Sequence, residues 1–102
     1  MRTWLQETKQ TLRFLAAARC FLPQYLETTA ELENVLQLHL RRAEMLQALD
    51  VLEQIGDQHS GYEEEANFWK ELFYAAQHMA LPDHATRYEE RIRQVALMQR
   101  MR

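Results

Sequence analysis

Between Pro23 and Gly56 nothing in the sequence obliges a helix to stop, and this uninterrupted run constrains the fold more than any other feature. Proline cannot donate a backbone hydrogen bond and glycine is free to leave helical geometry, so the two residues punctuate most helices. The chain holds only two of each among 102 residues. Within the run, Leu32, Val35, Leu36, His39, Ala43, Leu46, Leu49, Leu52 and Ile55 keep a 3.6-residue period that lays them along one side of a helix. The spacing predicts one long helix over 23–55, with a bend near Arg41 to Met45 as the alternative. Gly56 is expected to end it by taking positive φ.

Three further helices follow from the same rules. Over 3–22, Thr3 and Gln6 form a candidate capping box. Leu5, Thr8, Leu12, Leu15, Ala16 and Leu22 make its stripe, widened by Trp4, Phe14, Ala18 and Phe21. Over 60–80, Ser60 and Glu63 suggest a second box, with Glu63, Glu64 and Glu65 in the first turn, where negative charge opposes the helix dipole. Ala66, Trp69, Leu72, Phe73, Ala76, Met79 and Ala80 share its apolar face. Over 82–100, Pro82 suits the first turn, and Ala85, Tyr88, Ile92, Val95 and Ala96 line one side. Asp83 with Arg87, and Glu89 with Arg93, are spaced to pair across a turn.

The expected fold is therefore all-α: one domain, 1–102, of about four amphipathic antiparallel helices in two hairpins. FLAAARCFLPQY from Phe14 and FYAAQHMALPDH from Phe73 align without a gap on Phe, two Ala and Leu-Pro, which suggests a duplicated hairpin. With 47% hydrophobic and 26% charged residues the composition is that of a globular protein.

A net charge of −3 argues against nucleic acid as a partner held by bulk electrostatics, because such binding needs a basic surface to displace counterions. Cys20 is the sole cysteine, which excludes an intrachain disulfide and a cysteine-rich zinc site and suits a reducing compartment. The opening residues MRTWLQETKQ are polar from the start, unlike a signal peptide, and no apolar run approaches the ~18 residues of a membrane span. A cytoplasmic location without membrane contact is expected.

Chemistry is sparse. His39, His59, His78 and His84 fall in no HExxH, ExxH or CxxC pattern. His78 and His84 flank Leu81-Pro82 and form the basis of a secondary reading, a metal-dependent enzyme or metal-binding bundle. Cys20, near the buried side of its helix, reads as an inert small hydrophobe, Ser60 as a cap, and the runs Glu63 to Glu65 and Glu89 to Glu90 as solvated faces. No glycine-rich loop is present to cradle phosphate, so neither an enzyme nor a cofactor is expected.

Trp69, Leu72, Phe73, Ala76 and Ala85 resemble a tetratricopeptide hairpin, and Leu32, Val35, Leu36 and Ala48 a fainter earlier copy. The family's later small residue and closing proline are missing. The resemblance covers about thirty residues and implies a groove that cradles a peptide or partner helix, as in small bacterial chaperones and adaptors. Ala75 to Ile92 also resembles a helix-turn-helix, with Ala76 as the early alanine, Ala80 where glycine is usual and Thr86 where Val or Ile packs. That resemblance implies a DNA-binding regulator in which Arg87, Arg91 and Arg93 meet DNA. Glu89 and Glu90 on the same helix oppose it.

Surplus apolar surface gives the main expectation. Leu36, Leu38 and Leu40 lie beside Val35 and His39, so the second helix is apolar on more than one side. A non-enzymatic protein-interaction module follows: a small adaptor, chaperone, inhibitor or regulatory subunit that binds a protein partner or forms a homodimer. Trp69, Leu72 and Phe73 are expected in the core, and Leu38, Leu40, Met45 and Tyr62 at the partner surface.

Overall fold

A computed structural model describes residues 4–22 and 30–101, with side chains from Thr8 onward in the first helix. The described residues contain five helices and no strand: α1 Trp4–Phe21, α2 Ala30–Arg41, α3 Met45–Asp57, α4 Glu65–His78 and α5 Pro82–Arg100. The capping box at Thr3 and the corner at Pro23 lie outside the described residues.

Among the described residues the long second helix is two helices, which makes five there where about four were expected. The break falls at Arg42 to Glu44, inside the stretch anticipated for a bend. Ala43 sits in the left-handed region at φ 55°, the Ala43 amide donates to Leu40 O, and the Glu44 amide donates to His39 O. Together these bonds make a Schellman turn, which satisfies carbonyls that the helix end leaves open. The His39 ring also meets the Glu44 carboxylate, Nδ1 to Oε1 at 3.1 Å, tying the two ends of the turn a second time.

The same turn recurs between α4 and α5. Ala80 has φ 56°, the Ala80 amide donates to Gln77 O, and the Leu81 amide donates to Ala76 O. Alanine fills the left-handed position both times, although glycine would carry no Cβ penalty there. Apolar periodicity could not reveal the first break, because alanine at position 43 reads as a helix former.

Gly56 also departs from expectation. It lies inside α3 and is buried. A Cβ on Gly56 would stand 2.5 Å from Phe68 Cε1 and 2.8 and 2.9 Å from the Trp69 ring, so its role is close approach rather than termination. The left-handed glycine is Gly61, at φ 80°, in the connection between α3 and α4. That connection is longer than the capping box implied: α4 starts at Glu65, capped by Glu64 without a side-chain bond, and Ser60 is exposed upstream. Glu65 stitches the loop instead, accepting the Gly61 amide at 2.9 Å on Oε1 and the Trp69 indole N–H at 3.4 Å on Oε2.

The core is a single cluster around Trp69, Phe68, Leu72, Tyr88, Leu15, Leu36, Leu49, Leu52 and Ile55, all fully buried. Trp69 and Leu72 are core as expected, while Phe73 is only half-buried. α1 turns Thr8, Thr11, Leu15, Ala18 and Leu22 inward, so Leu12 and Ala16 are displaced from the anticipated stripe and Cys20 is exposed. The main packing pairs are α4 with α5, α1 with α4, and α2 with α3. The first helix thus pairs chiefly with α4 rather than with its neighbour in sequence. The two halves of the FLAAARCF match differ as well, since Ala16 is exposed where its counterpart Ala75 is buried.

Candidate functional site

Two regions bring the chemically capable side chains together. The first is the seam between α3 and α5. Asp50, Glu53 and Asp57 lie at positions i, i+3 and i+7 of α3, one face of a helix. His84, Arg87 and Arg91 repeat the same spacing on α5. His84 Nε2 stands 3.0 Å from Asp50 Oδ1, Arg87 Nη2 2.9 Å from Glu53 Oε1, and Arg91 Nη2 3.1 Å from Asp57 Oδ1. Because the three partners advance together along both helices, α3 and α5 run parallel here at a steady offset of 34 residues.

Glu53 is the centre of this ladder. Arg87 grips it with Nε on Oε2 at 3.1 Å and Nη2 on Oε1 at 2.9 Å, and the Tyr88 hydroxyl donates to Oε1 at 2.7 Å. Burial alone would raise the Glu53 pKa. Hydrogen bonds from Arg87 and Tyr88, with the charges of Arg87 and His84, outweigh that cost and hold the carboxyl below its ordinary range. Burial pushes the Tyr88 phenol well up, and its bond to Glu53 adds to the shift. Below the ladder, the Arg91 guanidinium lies 4.5 Å from the centroid of the Trp69 ring, a cation–π contact.

This arrangement determines where the sequence candidates stand. Arg87 and Arg91 are joined to carboxylates of α3, and Arg93 to Glu89 of its own helix at 2.7 Å. All three arginines proposed for DNA contact are therefore already in ion pairs. The ladder escapes sequence reading because its partners belong to different helices. Arg87, for example, was matched by spacing with Asp83, whereas it reaches Glu53 on α3.

The metal reading gains one geometric fact: ligand atoms of Asp50, Glu53 and His84 lie within 4.8 Å of one another. Against it, the Arg87 guanidinium forks onto Glu53 and Tyr88 donates to the same carboxylate, placing a positive charge beside any cation bound there and occupying most of that carboxylate's lone pairs. His78 is drawn elsewhere. Its Nδ1 lies 3.1 Å from Thr11 Oγ1, so the two histidines that flank Leu81-Pro82 face different helices.

The second region is an apolar groove of about 520 Å³ where α1, the start of α3 and the α4–α5 turn converge. Thr8, Thr11, Met45, Leu46, His78 and Leu81 are among its walls. Leu46 is exposed there, and Met45 is half-buried. Of the four residues expected at a partner surface, Leu38 is open to solvent, while Leu40, Met45 and Tyr62 are half-buried and packed against the core. The Tyr62 hydroxyl is buried without a hydrogen-bond partner among the described residues, and burial raises its pKa.

Sequence reasoning missed the outer face of α2 as a unit. Glu31, Asn34, Val35, Leu38, Arg41 and, one residue past the helix end, Arg42 are all exposed and fall at helical spacing on one side. The missed signal was the phase of the helix. Once α2 ends at Arg41, its inward residues are Leu32, Leu36 and Leu40, and Val35 turns outward. The chain matches no protein-family model, no curated protein and no solved structure. Among the described residues no helix is long and apolar enough to cross a membrane.

Proposed function

We propose that the chain is a non-enzymatic protein-interaction module that binds a partner protein, or another copy of itself, through apolar helix faces. The observation that carries this reading is the outer face of α2, where Val35 and Leu38 are 40% and 41% exposed side by side. Leu46 at the groove and Leu97, Met98 and Met101 at the end of α5 add further open apolar surface. Single exposed apolar residues are ordinary, but contiguous ones at helical spacing favour a covered face.

The tetratricopeptide resemblance belongs to the same reading. Two helix pairs, α2 with α3 and α4 with α5, each close through a left-handed alanine. α3 and α5 run parallel at an offset equal to that family's 34-residue repeat. Both features support a tandem of related hairpins, a scaffold suited to cradling a helix or an extended peptide. DNA is disfavoured as the partner, since Arg87, Arg91 and Arg93 are engaged by carboxylates.

An affinity-tagged chain tests the reading directly. Proteins recovered with the wild type are compared with those recovered by Leu38→Glu and Leu46→Glu, after circular dichroism establishes that both variants keep their helices. The reading expects a specific species, heterologous or self, that either variant loses. A folded wild-type chain that recovers nothing and never self-associates would end it.

A further inference from the structure

The outer face of α2 has a charge pattern that specifies its own complement. Glu31, Val35, Leu38 and Arg42 follow one another at spacings of four, three and four, the heptad alternation of a two-helix seam. Acid stands at the start of this stripe, two aliphatic side chains fill its middle, and base stands at its end, with Arg41 beside Arg42. All of these residues are exposed. Among the described residues, Glu31, Arg41 and Arg42 take no ion pair, whereas Glu33 on the inner side is held by Arg19 at 2.6 Å.

We propose that the chain forms a twofold homodimer in which α2 packs antiparallel against α2 of a second copy. This rests on the interaction-module reading and names its partner. In that register Val35 of one protomer faces Leu38 of the other, and Glu31 of one faces Arg42 of the other. Each contact therefore occurs twice about the axis, as an isologous interface requires. Antiparallel pairing is selected over parallel because the parallel arrangement would set Glu31 against Glu31 and Arg42 against Arg42. The other open apolar surface, at the end of α5, does not have this property. From Arg91 to Arg102 the sequence has four arginines and no Asp or Glu, so that end carries no charge complement for a second copy of itself. A 12-residue helix offers a seam of about 18 Å, so the dimer belongs to the small, weak class of interfaces.

Sedimentation equilibrium across a concentration series reads the outcome. The wild-type mass should rise from 12.2 kDa toward twice that value as concentration increases. Leu38→Glu puts two carboxylates at the apolar centre and should raise Kd by roughly a hundredfold or more. Glu31→Arg and Arg42→Glu should each weaken the dimer by roughly tenfold, since each removes two symmetry-related attractions and adds two repulsions. The double variant E31R/R42E restores opposite charges across the axis, and its Kd should return to within about threefold of wild type.

A wild type that remains monomeric at every concentration, with its helices intact, overturns the proposal. So does a dimer indifferent to Leu38→Glu, or one that the double charge swap fails to restore. If the chain is monomeric yet loses a recovered protein partner on Leu38→Glu, the interaction reading stands and only the second copy as occupant is wrong.

Discussion

The α3–α5 seam and the outer face of α2 are both built from charged and apolar side chains on helices, yet they are finished to different degrees. At the seam each of the six polar side chains of the ladder has a partner within the chain, and the aromatic rings beneath are fully buried. On the outer face of α2, Glu31, Arg41 and Arg42 take no ion pair among the described residues, and Val35 and Leu38 face solvent. A charge satisfied inside the fold supports that fold, whereas one left open at a defined spacing is available to another molecule. The contrast places stability at the seam and, on our proposal, association at α2.

Substitutions at the seam should therefore change stability, and those on α2 should not. The largest effect is expected for Trp69→Ala, which empties the space between Phe68, Tyr88 and Arg91 and should cost about 3–5 kcal/mol in urea denaturation. A loss below about 1 kcal/mol would mean that the core does not centre there. Gly56→Ala comes next. Its methyl group must displace the rings of Phe68 and Trp69, for a cost of about 1–3 kcal/mol, where a surface glycine in a helix would be improved by alanine.

Glu53→Gln removes the charge that Arg87 and Tyr88 share. Arg87 is about half exposed, so after allowance for solvent screening the loss is about 1 kcal/mol at neutral pH. The pH dependence sharpens this test. The folded-state pKa of Glu53 is depressed, so its contribution is fully present above the unfolded-state value and is lost as pH falls through the folded-state one. Acid titration of stability should accordingly be shallower in Glu53→Gln than in wild type.

Ala43→Gly and Ala80→Gly relieve the Cβ strain of the two left-handed positions. Each should gain about 0.5–1 kcal/mol, part of the relief being offset by the greater freedom of glycine in the unfolded chain. Smallest of all is Leu38→Glu, which should shift the stability of the dilute monomer by less than about 0.5 kcal/mol. A larger loss there would place Leu38 in the fold and dissolve the distinction between the two regions.

How far the sequence foretells this molecule depends on where the information resides. Helix content was readable, because apolar spacing and the shortage of Gly and Pro are local properties. The break at Ala43 was not, because its signature is a left-handed alanine held by two backbone hydrogen bonds, and the apolar period passes through it unbroken. Gly56 was noticed for the wrong reason: its neighbours in space, Phe68 and Trp69, lie on another helix. The ladder follows the same logic, since Asp50, Glu53 and Asp57 acquire meaning only when α5 lies parallel to α3. The exposure of Leu38 was readable because surplus hydrophobicity on a helix is itself a local signal. Leu40 and Met45 belonged to the same surplus, but the core had room to pack against them.

The central claim is that the outer face of α2 is covered by the same face of a second copy while the α3–α5 seam is complete in itself. Pulsed dipolar spectroscopy tests it most directly, with one spin label at Asn34→Cys or at Gln94→Cys on α5, each in a Cys20→Ser background. The account predicts a short, well-defined interspin distance for the α2 label at high protein concentration, abolished by Leu38→Glu, and a longer or broad distribution for the α5 label. Absence of dipolar coupling at Asn34, or close coupling confined to Gln94, would contradict it.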